Sequence, residues 1–210
     1  MTDSGGSQAL LRRHACLEAI AELLSGALVV TCIGGARAEW NHVKRVPDFT
    51  TYAMGLASSV GLGLALALPR RAVVAIDGDG AVLMNLSGLA TIARTRPANL
   101  LHLVFDNECY ESSGAGPTHT AAGLDLVAVA DAAGYREAKW ISSVDAFAAA
   151  VAQFLRSPTL TMLAVKVEPS SAAHVGGTPD NLEQKYQFIR HIEKLESIAI
   201  LNSSLPAHMR

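Results

Sequence analysis

Val73-Val74-Ala75-Ile76-Asp77-Gly78-Asp79-Gly80-Ala81 decides the fold. An apolar run that ends in Gly-Asp-Gly reads as a buried strand turning sharply at its carboxyl end. The glycines let the backbone approach a ligand closely, and Asp79 sets a carboxylate at the lip of a sheet. A helical pattern follows, then a second apolar run ending in Asp106-Asn107. One helix and one returning strand bring Asp79 and Asn107 to neighbouring strand ends. Two hard oxygen donors beside a glycine turn and a helix N-terminus suit a Mg²⁺ ion that carries a diphosphate.

Outward from that stretch, buried apolar runs alternate with helical patterns. Residues 7–25 space Leu10, Leu11, Cys16, Leu17, Ile20, Leu23 and Leu24 as on an amphipathic helix, with Gly26 placed as a C-terminal glycine cap. Residues 27–33 predict a strand ending at Gly34-Gly35, and 36–43 a short helix before Pro47. A small-residue helix is expected over 54–68, strands over 72–76 and 100–105, and a helix over 83–94 between them. Residues 111–123 read as a Ser-, Gly-, Pro- and Thr-rich loop. Helices follow at 124–133 and 144–155, a weak strand at 137–141, a fifth apolar strand at 160–167, a polar loop after Pro169 and a last helix at 182–195.

No two strands are joined by a hairpin-length turn. The pattern is that of an α/β fold, a three-layer parallel sheet with helices on both faces. Ligands of such sheets bind outside the carboxyl ends of the strands, so Gly34-Gly35, Gly78-Asp79-Gly80 and Asn107 are expected at one edge. With no internal repeat or linker, residues 9–200 read as one domain, flanked by flexible tails at 1–8 and 201–210.

Composition narrows the function. Half of the 210 residues are hydrophobic, 17% are charged and the net charge is −2. A mean hydropathy of +0.27 is high for a chain that stands alone and suggests surface covered by other subunits. Without a basic run and with few aromatics, a nucleic-acid surface is not expected. Residues 49–69 carry no charge, but their solidly apolar part is shorter than the roughly 20 residues of a spanning helix, so no membrane association is expected. Cys16, Cys32 and Cys109 are odd in number and far apart, which reads as a reducing, cytoplasmic compartment.

Rival sites fail on spacing. Gly61-Leu62-Gly63 lies inside a predicted helix and not after a strand, so the dinucleotide fingerprint is absent. A Walker-type phosphate loop is missing, and three scattered cysteines cannot hold an iron–sulfur cluster. Of the seven histidines, His119 alone stands in a polar loop beside the expected site, which makes it a candidate for substrate contact.

Gly78-Asp79-Gly80 through Asp106-Asn107 resembles the metal-binding motif of thiamine diphosphate enzymes. Residues 52–59, Tyr-Ala-Met-Gly-Leu-Ala-Ser-Ser, are similar to the segment beneath their cofactor. With Met84-Asn85-Leu86 and the 110–120 loop, the likeness is greatest to sulfopyruvate decarboxylase beta subunits and the C-terminal domain of phosphonopyruvate decarboxylases. It covers most of the chain from about Val29 to Val167.

The resemblance implies thiamine diphosphate and Mg²⁺ as cofactors, the metal being held by Asp79, the Asn107 side chain and the carbonyl of Cys109. It implies backbone contacts from Gly34, Gly35, Gly78, Gly80 and Ala81 to the diphosphate, and a cofactor contact at Tyr110. Met54 matches the bulky residue that bends the cofactor, and the Tyr52 carbonyl would accept from its aminopyrimidine. Many relatives carry serine where Ala81 stands, so one hydroxyl contact is lost. Asp106-Asn107 departs from the Asn-Asn form common in the wider superfamily.

No segment resembles the one carrying the glutamate that activates the cofactor. Glu18 and Glu22 lie on the first helix and read as solvated charges. The resemblance therefore implies a separate pyrimidine-domain (alpha-type) subunit in a homo- or hetero-oligomer. The implied reaction is decarboxylation of a small anionic 2-oxo acid such as sulfopyruvate or phosphonopyruvate, with His119 near the substrate. A non-catalytic binding subunit and an acetolactate-type carboligase component are the alternatives.

Overall fold

The structure, a computed structural model, describes residues 10–169 and 181–201. The expected tail at 1–8, residues 202–210 of the other tail and the polar loop at 170–180 lie outside the described residues. In chain order the elements are α1 (Arg13–Ala21), β1 (Leu28–Cys32), α2 (Gly35–Val43), β2 (Phe49–Thr51), α3 (Ala57–Ala67), β3 (Val73–Gly78), α4 (Asp79–Met84) and α5 (Leu86–Thr95). Then come β4 (Leu100–Asp106), β5 (Cys109–Tyr110), β6 (Gly116–Pro117), α6 (Leu126–Ala133), β7 (Glu137–Ile141), α7 (Val144–Arg156), β8 (Thr161–Lys166) and α8 (Asn181–Glu196).

Six strands form one parallel sheet in the order β2-β1-β3-β4-β8-β7. Strand side chains alternate between faces. Both faces are covered here, so β3 is apolar at each position from Val73 to Ile76. Val74 and Ile76 pack with Leu17, Ile20, Trp40 and Phe147 of α1, α2 and α7. Val73 and Ala75 pack with Leu89, Ile92, Leu126 and Phe188 of α5, α6 and α8. Phe105 and Phe147 meet with ring centroids 5.7 Å apart at 54°, a tilted pair of the kind worth about 0.5–1.5 kcal/mol beyond its buried area.

One polar trio interrupts this core. His102 Nε2 lies 3.0 Å from Asp77 Oδ2, and the Tyr135 hydroxyl lies 3.5 Å from His102 Nδ1. All three are buried. Burial is the larger cause and the Asp77 charge the smaller one in raising the Tyr135 phenol far above its ordinary value.

The expected three-layer parallel sheet is present, with several corrections. The sheet has six strands, because Phe49-Thr50-Thr51 forms β2 at its edge. Those threonines are buried through hydrogen bonds: Thr50 Oγ1 meets Thr31 Oγ1 at 3.0 Å and accepts from Gln184 Nε2 at 3.0 Å. The loop expected at 111–123 is partly ordered, since β5 and β6 pair antiparallel across a hairpin-length connection.

The single helix expected over 83–94 is two. They break at Asn85, whose Nδ2 donates to Gly55 O at 2.9 Å and Ser59 Oγ at 3.0 Å. The helix expected from 54 begins at Ala57, after Gly55 turns left-handed at φ 82. Gly26 is not a left-handed cap. It ends a 3-10 turn, Leu23–Gly26, that follows α1. Among the described residues no helix is long and apolar enough to cross a membrane.

Candidate active site at the strand switch point

From β1 the chain passes to β2 on one side and returns through α3 to β3 on the other. The carboxyl ends of β1 and β3 thus part at a topological switch point, where open sheets hold ligands. A crevice of about 50 Å³ lies there. Gly34, Gly35, Met54, Gly78, Asp79, Gly80, Ala81, Asn107, Cys109 and Tyr110 line it, together with Arg13 and Glu111. Three turns from distant stretches converge as the sequence predicts. Tyr52 and His119 are not among the lining residues. Tyr52 is exposed and its hydroxyl accepts from Arg37 Nη2 at 2.9 Å, while His119 is exposed between two buried threonines.

Two glycines are explained by close approach. A Cβ on Gly35 would meet Arg13 Nη2 at 2.3 Å, and one on Gly80 would meet the Tyr110 ring at 2.7 Å. Gly34 has φ 128, a conformation that L side chains rarely adopt, and leads directly into α2.

Asp79 opens α4 at the end of β3 and is 1% exposed. Its Oδ2 accepts from Thr118 Oγ1 at 2.6 Å and Thr120 Oγ1 at 3.2 Å, and Thr120 Oγ1 also lies 2.8 Å from Asp106 Oδ1. Burial pushes the Asp79 carboxyl above its usual range, the Thr118 hydrogen bond opposes this, and the Asp106 charge adds to it. Lys166 Nζ, 2.8 Å from Asp106 Oδ2, compensates the second carboxylate.

Beyond β4 the backbone kinks at Glu108, a non-glycine residue at φ 61. The turn is held by the Glu108 N–H on Asp106 Oδ1 at 3.0 Å and the Cys109 N–H on Asn107 Oδ1 at 3.2 Å. Left-handed strain of this kind, typically about 1–3 kcal/mol, clusters at ligand sites. Burial and the neighbouring Glu111 and Asp79 charges raise the Cys109 thiol, so a thiolate donor is disfavoured there.

Among the described residues no three His, Cys, Asp or Glu side chains group as a metal centre. A cation in this crevice would rest on one carboxylate, one amide oxygen and one carbonyl. Such sparse oxygen donation suits Mg²⁺, which takes its remaining ligands from water and phosphate. The glycine cradle beside it fits a diphosphate.

Sequence reasoning missed Arg13, Glu39, Glu111, Thr118 and Thr120. Arg13 is 4% exposed at its side chain and paired with Glu39 and Glu111. Thr118 and Thr120 had one available signal. Two hydroxyls flank His119 in a loop expected beside the site; the structure sets them at the start of a 3-10 turn, His119–Ala122, with both hydroxyls on Asp79 and His119 exposed.

Residues 31–165 match the family described as thiamine pyrophosphate enzyme, C-terminal TPP binding domain. The chain is 40% identical over 176 residues to a phosphonopyruvate decarboxylase of Streptomyces hygroscopicus, covering 82% of this chain and 43% of that protein. It is 41% identical over 128 residues to a sulfopyruvate decarboxylase subunit beta of Methanothermobacter thermautotrophicus, covering 60% of this chain and 68% of that one. Benzoylformate decarboxylase from Polynucleobacter necessarius shares the fold, with a TM-score of 0.65 at 23% identity over 81% of this chain and 35% of that chain. This chain spans less than half the length of the phosphonopyruvate decarboxylases it matches. By the match across the switch-point crevice and by its identity to these relatives, the chain belongs to the thiamine pyrophosphate enzymes, as their C-terminal TPP-binding domain.

Proposed function

We propose that this chain is the diphosphate-binding subunit of a thiamine diphosphate- and Mg²⁺-dependent 2-oxo acid decarboxylase. The observation that carries this reading is the meeting of Asp79, Asn107 and Cys109 with the Gly34-Gly35 and Gly80 turns in one crevice. Asp79, the Asn107 amide and the Cys109 carbonyl hold the metal. Backbone at Gly34, Gly35, Gly78, Gly80 and Ala81 holds the diphosphate, Met54 supports the cofactor's bend, the Tyr52 carbonyl accepts from its aminopyrimidine, and Tyr110 contacts it. When bound, the cofactor supplies an electron sink for the electrons left by CO₂ loss. The chain's own residues bind and orient that group and set the charge around its diphosphate.

The preferred substrate is a sulfonated or phosphonated pyruvate, as in the names of the relatives, with His119 beside its anionic end. The activating glutamate comes from a separate pyrimidine-domain subunit. Two observations support this division: relatives are named as beta subunits, and Leu56, Leu66 and Met84 are exposed apolar side chains for a partner to cover. Three free cysteines fit a cytoplasmic setting.

The test is CO₂ release from sulfopyruvate, phosphonopyruvate and pyruvate by the chain alone and with a pyrimidine-domain companion. Turnover is expected only in the complex and only with Asp79 intact. Robust activity of the isolated chain, or activity of the complex that survives Asp79→Ala, overturns the proposal.

A further inference from the structure

We propose that Arg13 is a direct ligand of the cofactor's diphosphate and that Glu111 is the internal anion holding its place when the cofactor is absent. The inference rests on the reading of the crevice given above and adds two residues to it. Arg13 opens α1, and the bridge of Leu11 to Val167 fixes the chain just before it at the carboxyl edge of the sheet. Glu39 grips the guanidinium through Nε at 3.1 Å and Nη2 at 2.9 Å. Nη1 is turned to Glu111 Oε2 at 3.3 Å.

That cation and that carboxylate both lie directly on the diphosphate turn. A Cβ on Gly35 would meet Arg13 Nη2 at 2.3 Å and Glu111 Oε2 at 2.7 Å. Glu111 Oε2 also accepts from Asn107 Nδ2 at 3.2 Å, so the carboxylate takes hydrogen bonds from one expected metal ligand and from Arg13. Its other oxygen, Oε1, is buried with no hydrogen-bond partner among the described residues. The carboxylate is therefore incompletely satisfied where it sits, which makes it easy to displace.

A diphosphate oxygen carries more charge and can use the same donors. A guanidinium forks onto phosphate in the way it forks onto carboxylate. The exchange is one anion for another: Glu111 swings toward solvent, and Arg13, anchored by Glu39, stays. Without Glu111 or a diphosphate in its place, the buried guanidinium would lose part of its compensating charge.

The test uses calorimetric titration of the full chain with Mg²⁺ plus thiamine diphosphate, and with Mg²⁺ plus inorganic diphosphate. Glu111→Gln is expected to tighten both by about tenfold, by weakening the internal competitor. Arg13→Met is expected to weaken both by about 30-fold or more, and Arg13→Lys by less because it keeps the charge without the fork. Thiamine without phosphate should respond to none of these changes. Thermal unfolding checks that each variant is folded. If Arg13→Met fails to fold, the Glu111→Gln result decides alone: no gain in affinity overturns the proposal. Arg13→Met affinity within twofold of the unaltered chain, while Asp79→Ala binds nothing, overturns the role of Arg13 and leaves the crevice reading standing. If neither the unaltered chain nor Glu111→Gln binds either probe, the crevice reading itself falls, and this inference with it.

Discussion

Two hollows share the carboxyl edge of the sheet. The one at the β1/β3 switch point measures about 50 Å³, and the one outside β4, β8 and β7 about 440 Å³. In the larger hollow the charges are compensated by side chains of the chain itself. Lys166 Nζ lies 2.6 Å from Glu108 Oε1, 2.8 Å from Asp106 Oδ2 and 5.4 Å from the Trp140 ring centre, and Trp140 Nε1 donates to Asp125 Oδ1 at 2.9 Å. In the smaller one, Gly35 and Gly80 approach the Arg13, Glu111 and Tyr110 side chains closely, and among the described residues Glu111 Oε1 has no hydrogen-bond partner. Volume alone would choose the hollow other than the one proposed to hold the cofactor. What sets the smaller hollow apart is glycine backbone in close approach to Arg13, Glu111 and Tyr110.

The comparison can be broken most directly at Asp79. Asp79→Asn is expected to cost at least about 100-fold in Mg²⁺-dependent cofactor affinity by calorimetry. The same change should leave the cofactor-free chain melting no lower, because burial disfavours the Asp79 charge and Asp106 repels it. A marked fall in melting temperature would show that the carboxylate serves the fold rather than a ligand.

Lys166→Met should show the reverse pattern: stability falls and cofactor affinity holds. It strips a buried Asp106 of its cation, at about 1–3 kcal/mol once the partial exposure of Lys166 is allowed for. Burial lowers the Lys166 pKa, but hydrogen bonds and charge from Asp106 and Glu108 outweigh it, so the net shift is upward from 10.5. A raised lysine contributes its stability fully below the unfolded value and loses it as pH climbs through the folded one. Denaturant unfolding should therefore show a constant deficit through neutral pH that shrinks only in strongly alkaline solution. Smallest is Trp140→Phe, which removes one part-exposed hydrogen bond and should cost about 0.5–1 kcal/mol by the same assay, with binding unchanged. A large affinity loss from either change would make the wider hollow part of the site.

Much of the crevice is legible in the sequence because it is local. The apolar run of β3 ending in Gly78-Asp79-Gly80 needs both faces buried and a close backbone approach, and each demand writes its own residue type. Arg13 is not legible, because its burial depends on Glu39 and Glu111, 26 and 98 positions away. On a helix read alone, an arginine belongs to the solvated side. β2 escapes for a related reason. Its threonines look like loop residues until Gln184, 134 positions from Thr50, supplies the partner that lets them be buried. Continuous apolar burial announces itself in sequence, whereas polar burial does so only through partners far along the chain.

The buried Asp77–His102–Tyr135 trio gives the protein its own optical gauge. Of four tyrosines, Tyr52 and Tyr186 are exposed, Tyr110 is half-buried and Tyr135 is buried beside a carboxylate-bonded imidazole. Its phenol keeps its proton in the folded chain under alkaline conditions that ionise a free tyrosine, so folding there retains a proton that unfolding releases. A late, cooperative rise of tyrosinate absorbance in base is therefore the expected signal for opening of the layer between β4 and α6, with no label attached.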